Sequence, residues 1–136
     1  IHHTAGPKEQ TPEQIAQFHV GKGWPGISYT YGTRWDGKVW KFLTITQVGN
    51  CVRNANLSSL CVVNIGDFSA EPMPKAQWDA LVALVKELRG SYGPLPVMGH
   101  RELSATACPG NMVSLDRLRL EVGDVHRLGT SGEDEV

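Results

Sequence analysis

The sequence predicts an α/β chain of the mixed α+β kind, with a central mixed β-sheet flanked by helices. Three observations carry that expectation. Ile27 to Trp35 alternates and is followed by Asp36-Gly37 and then Lys38 to Phe42, a hairpin signature. Leu60-Cys61-Val62-Val63-Asn64-Ile65 is an almost continuous apolar run, as a buried central strand requires. Lys75 to Arg89 carries Trp78, Leu81, Val82, Val85 and Leu88 at spacings of three and four, the stripe of a long amphipathic helix. Strands and helices interleave along the chain, so the helices pack on the sheet.

The elements follow in order. Ile1 to Ala5 reads as the end of a strand, on which His2 and His3 point to opposite faces. By themselves the two histidines read equally well as surface residues. Thr11-Pro12-Glu13-Gln14 opens a helix, with Thr at the N-cap, Pro next and Gln as the capping-box partner. Ile15, Phe18 and His19 follow at helical spacing until Gly21 and Gly23 stop the run, and His19 reads as scaffold. Trp24-Pro25-Gly26 is a turn into the hairpin, whose first strand carries Tyr29 and Tyr31 on one face. Thr44 to Ser58 shows little periodicity and reads as a long loop, a candidate groove wall. Gly90 should stop the long helix. Pro94 to Met98 then reads as a short strand leading to Gly99-His100, and Leu115, Leu118 and Leu120 suggest a short closing helix.

Composition narrows the function classes. A chain of 136 residues with 40% hydrophobic and 20% charged residues can form one domain with its own core. A net charge of −1 and the lack of any Lys/Arg run argue against nucleic acid as the main partner. No stretch approaches the roughly 20 apolar residues of a membrane span. Three cysteines without a CxxC spacing argue against a disulfide scaffold. Cys61 reads as a small core residue, with a bridge to Cys51 left open.

Chemistry concentrates in His100-Arg101-Glu102-Leu103-Ser104-Ala105-Thr106-Ala107-Cys108-Pro109-Gly110. His100 and Cys108 lie eight positions apart, between Gly99 and Pro109-Gly110, in a segment suited to a tight irregular loop. Imidazole and thiolate are good zinc ligands, and a catalytic zinc needs three ligands and an open position. The segment supplies two; the opening His2-His3 pair is the obvious source of a third.

These motifs, taken together, resemble a known family. The pattern runs through His2-His3-Thr4-Ala5, Gly26-Ile27-Ser28-Tyr29 ahead of Asp36-Gly37, and Asn56 with Ser59-Leu60 entering a buried strand that ends at Gly66. It closes with Gly99-His100-Arg101-Glu102 and Thr106-Ala107-Cys108-Pro109-Gly110. It is similar to the zinc-dependent N-acetylmuramoyl-L-alanine amidases of the type-2 amidase and peptidoglycan-recognition-protein group, phage endolysins included, over roughly residues 1–120.

The resemblance implies one Zn2+ held by His2, His100 and Cys108, with Tyr29 and Thr106 as catalytic groups and His3 beside the site. Asn56 and Trp35 are substrate-side candidates. Two neutral imidazoles and a thiolate leave the zinc unit a charge of about +1, still Lewis-acidic. Hydroxyls of Tyr29 and Thr106 suit a developing oxyanion. A glutamate that some relatives carry near residues 60–66 is absent, since Val63 and Ile65 stand there; proton delivery falls to Tyr29 or a water, with His3 a weaker candidate. Thr30 replaces a histidine found in many phage members, and Lys41-Phe42-Leu43-Thr44 replaces a groove-lining Gly-Arg. Recognition-type members that lack the ligand cysteine bind peptidoglycan without cutting it, so Cys108 favours catalysis over a non-catalytic muropeptide-recognition module.

The expected organisation is a zinc amidase catalytic domain over 1–125, its N-terminal strand truncated, and an acidic tail or linker start over 126–136. The expected partner is peptidoglycan, with the chain a monomer and neither nucleic acid nor membrane engaged. The expected setting is a phage or prophage product made in the host cytoplasm and acting on the wall, or a secreted protein.

Overall fold

A computed structural model describes residues 1–23, 26–43 and 60–125. The Trp24-Pro25 turn residues, the expected loop over 44–58 with Cys51 and Asn56, and the 126–136 tail lie outside them. Strand β1 (His2–His3) is followed by helix α1 (Pro12–Gly21), strands β2 (Tyr31–Thr33), β3 (Val39–Lys41) and β4 (Val62–Asn64), then helices α2 (Lys75–Tyr92) and α3 (Leu115–Val122). The sheet order is β1-β4-β2-β3. β4 pairs parallel with β1 and β2, and β3 runs antiparallel to β2, which makes the predicted mixed sheet.

Local chemistry explains the helix starts. Thr11 Oγ1 accepts the Gln14 amide N–H at 3.2 Å while Gln14 Oε1 accepts the Thr11 N–H at 2.9 Å, so the capping box forms as read. Ser114 caps α3 by accepting the Arg117 N–H at 3.1 Å. α2 buries Trp78, Leu81, Leu84, Val85 and Leu88 in the main core with Val62, Phe68, Val97, Val113 and Leu118. Leu84 joins the buried stripe, and Val82 packs against the core partly buried. Full burial of Leu81 makes truncation to Ala cost about 2–5 kcal/mol.

The polar interior fastens this helix to the sheet. Gln77 Nε2 donates to the Thr33 and Ile65 carbonyls at 3.2 Å, and Asn64 Nδ2 donates to the His2 carbonyl at 3.0 Å. Arg119 is fully buried, donates to the Val97 carbonyl at 2.9 Å, and pairs with Glu102 and Asp116. Removing one partner of such a pair strands a buried charge.

Several expectations are corrected. α2 passes Gly90 and ends at Tyr92; Gly93, at φ 88°, takes the terminal role instead. Pro94 to Met98 is not a sheet strand: two of its five residues are prolines without an N–H to donate. The first hairpin strand is shorter than read, Tyr31–Thr33, although the Thr30 N–H already bonds the Cys61 carbonyl at 2.9 Å. Cys61 is more than a small core residue, being 2% exposed and disulfide-bonded, whereas Cys108 is a free thiol.

Candidate active site

β1 delivers His2 from the sheet and the 99–110 loop delivers the other two groups. The ladder His2↔Val63 and His3↔Asn64 sends neighbouring side chains to opposite faces. His2 is 2% exposed, and its ring lies 4.7 Å from the His100 ring. His3 goes the other way, where its Nδ1 accepts the Phe68 N–H at 3.1 Å. That bond commits His3 to holding the backbone after β4.

The loop owes its shape to hydrogen bonds between its own ends. His100 begins a 3-10 turn over His100–Glu102, and the His100 N–H donates to the Ile1 carbonyl at 3.1 Å. The Arg101 N–H donates to the Cys108 carbonyl at 2.7 Å. The Arg101 guanidinium reaches the Gly110 carbonyl at 2.8 Å and the Val113 carbonyl at 3.2 Å. Glu102 folds back to accept the Gly99 N–H at 2.8 Å and meets Arg119. Gly110, at φ 101°, passes so close to Phe68 that a Cβ would sit 2.5 Å from its carbonyl carbon. No other residue fits there.

The outcome is that the ligand atoms of His2, His100 and Cys108 all lie within 4.8 Å of one another. Cys108 Sγ stands 3.6 Å from His2 Nδ1 and accepts the His3 N–H at 3.3 Å. A tetrahedral zinc with Zn–N of about 2.0–2.1 Å and Zn–S of about 2.3 Å holds nitrogen and sulfur about 3.6 Å apart. Donor type and spacing therefore both fit that ion. Burial pushes the His2 pKa down to about 2 and lowers that of His100, so both imidazoles stay neutral with lone pairs available. Burial pushes the Cys108 thiol up, so metal binding would have to expel its proton.

Tyr29 stands against this trio, its ring 5.4 Å from that of His2. Burial, with the Cys108 sulfur nearby, raises its pKa to about 12. At neutral pH it is a hydroxyl donor. Thr106 is exposed on the loop, and its Oγ1 accepts the Cys108 N–H at 3.3 Å, so it shapes the approach to the sulfur as well as facing solvent. Trp35 stands on the hairpin turn, 43% exposed, and its ring contacts are to Lys8 and Arg34. Asn56 lies outside the described residues. Sequence reading missed His19, which is 3% exposed and packs its ring 5.3 Å from Tyr29. Its place ten residues before Tyr29, ahead of a glycine-rich turn, was the available signal.

Two imidazoles and a thiol meeting at a sheet edge opposite a tyrosine have the make-up of a three-ligand catalytic metal centre. Residues 1–111 match the Amidase_2 family, described as N-acetylmuramoyl-L-alanine amidase, and the chain belongs to that family. An endolysin of Enterobacteria phage K11 is 31% identical over 119 residues, covering 76% of this chain and 79% of that protein. Peptidoglycan-recognition protein LB of Drosophila melanogaster is 30% identical, covering 81% of this chain and 53% of its own length. Among solved structures, the N-acetylmuramoyl-L-alanine amidase LysC from Clostridium intestinale URNW superposes with a TM-score of 0.86 at 27% identity, covering 90% of this chain and 81% of that one. The Ph2119 endolysin from the Thermus scotoductus MAT2119 bacteriophage superposes at 0.79 with 40% identity, covering 89% and 80%.

Proposed function

We propose that the chain hydrolyses the amide bond between N-acetylmuramic acid and L-alanine in peptidoglycan, with one zinc ion held by His2, His100 and Cys108. The observation that carries this reading is the 3.6 Å approach of Cys108 Sγ to His2 Nδ1, with His100 beside them and Tyr29 alongside. When bound, zinc would supply Lewis acidity to a water nucleophile and to the amide carbonyl. The protein's own groups do the rest. His2 and His100, kept neutral by burial, present nitrogen lone pairs. Tyr29 keeps its proton at neutral pH and donates a hydrogen bond where negative charge develops on the carbonyl oxygen. Thr106 is positioned on the same loop as Cys108 to offer a second hydroxyl. His3 is committed to the Phe68 amide, which leaves Tyr29 or a water to return the proton to the leaving amine.

Residues 1–125 form the catalytic unit in this reading and act as a monomer, and the similarity to endolysins supports the bacterial wall as the target. A second reading, muropeptide recognition without turnover, is favoured by the similarity to a peptidoglycan-recognition protein. The free Cys108 thiol beside two histidines speaks for turnover. The test is to incubate zinc-loaded protein with purified peptidoglycan and assay newly freed L-alanine amino termini, with and without chelator. Release that stops on chelation is expected. Binding to the wall without release on any chemotype would support recognition instead.

A further inference from the structure

We propose that His19 is a positioning residue for Tyr29, holding the Ser28 amide with Nδ1 and backing the phenol ring so that it stays against His2. The geometry is a relay. His19, in the last turn of α1, accepts the buried Ser28 N–H at Nδ1 over 3.0 Å. Its ring lies 5.3 Å from that of Tyr29 at a 53° tilt, and Tyr29 also meets His2 at 5.4 Å and 54°. The phenol thus touches both a helix histidine and a candidate ligand histidine.

The backbone on either side of Tyr29 is clamped by different elements. Ser28 is held from α1 through His19. Thr30 is held from the residue before β4: its N–H donates to the Cys61 carbonyl at 2.9 Å, and its Oγ1 accepts the Cys61 N–H at 3.0 Å. Both Ser28 and Thr30 are buried, while the ring of Tyr29 between them lies against that of His2. The sheet clamp is independent of His19, so losing the helix clamp should loosen Tyr29 without unfolding the chain. Accepting at Nδ1 leaves the other nitrogen as the protonated one, a tautomer assigned from the hydrogen bond. Burial, then the nearby Lys22 ammonium, favour the neutral ring over the opposing pull of the Gly26 backbone.

A buried aromatic supporting only the fold would tolerate a shape-matched apolar residue. A positioning residue would not, and it should act through Tyr29. The first test reads tyrosine ring NMR signals of the zinc-loaded protein, labelled at its three tyrosines, with Tyr29→Phe assigning the Tyr29 signal. His19→Leu should shift that signal, whereas His19→Asn, whose amide oxygen can accept the Ser28 N–H, should restore it toward the wild-type position. An unmoved signal in His19→Leu overturns the proposal.

The second test rests on the amidase reading. His19→Leu should lower kcat about 10- to 100-fold with KM nearly unchanged and zinc content intact, since a displaced catalytic group costs rate rather than binding. In the Tyr29→Phe background the same change should cost almost nothing. An equal loss in both backgrounds overturns positioning through Tyr29. If wild type releases no L-alanine termini, the amidase reading falls while the NMR test still decides the role of His19.

Discussion

The two halves of the candidate metal centre stand on opposite kinds of backbone. His2, 2% exposed, comes from a strand paired to β4, with its own carbonyl held by Asn64. His100 and Cys108 come from a loop with one 3-10 turn, shaped by polar braces: Arg101 to Gly110 and Val113, and Glu102 to Gly99 and Arg119. Burial of apolar surface fixes the first half as a by-product of folding. The second half depends on a handful of hydrogen bonds, each with a charged partner and worth about 1.5–3 kcal/mol net. Strand mutations should therefore report on the fold and loop mutations on the metal.

The largest expected effect tests the site as a whole. Cys108→Ala should abolish zinc binding and wall hydrolysis while leaving the urea midpoint of the metal-free protein nearly unchanged, measured by metal analysis, amino-terminus release and chemical unfolding. Normal turnover with no bound zinc would show that His2, His100 and Cys108 do not form the catalytic centre. Next comes Tyr29→Phe, which removes a donor and no ligand. Zinc content should stay at wild type while kcat drops about 100- to 1,000-fold, the scale of one lost oxyanion donor.

A smaller effect separates the two halves. Arg101→Ala unpins the Gly110 and Val113 carbonyls, and zinc affinity should fall about 10- to 100-fold by chelator competition, as for other supports behind metal ligands. Leu81→Ala should instead lower stability, with zinc affinity of the folded fraction preserved. If Arg101→Ala lost stability alone, the loop would be held by something other than its braces.

The smallest effect concerns pH. His2, His3, His19 and His100 all have pKa values lowered below the ordinary imidazole value of about 6.5, chiefly by burial. Above that value folded and unfolded chains both hold neutral rings, so these groups leave stability independent of pH. Below it the unfolded chain binds protons that the folded chain resists, so stability falls with pH. Urea midpoints of metal-free protein at pH 7.5 and 5.0 should show this loss, and a flat profile would count against burial of the four rings.

How much was legible depends on the range of the interaction. The capping box at Thr11 and Gln14, the α2 stripe and the mixed sheet were readable because each is set by neighbours along the chain or by simple periodicity. Pro94 to Met98 was misread, since apolar residues near the loop imitate a strand until the missing proline donors are counted. Cys61 in a bridge and Cys61 as a small apolar residue look the same in one dimension. His19 passed as scaffold because nothing in a helix pattern announces which ring a buried histidine will touch.

By itself the sequence determined the residue types at the centre: two imidazoles, a thiol and a phenol in a recognisable order. Tertiary structure decided that His2 rather than His3 joins them, through the parity of the β1–β4 register. It also decided that groups about 100 residues apart meet, with Cys108 Sγ 3.6 Å from His2 Nδ1. Loop closure over that distance has no local signal, because its cost is offset by burial and hydrogen bonds spread across the whole core. The same packing set the His19 ring against that of Tyr29.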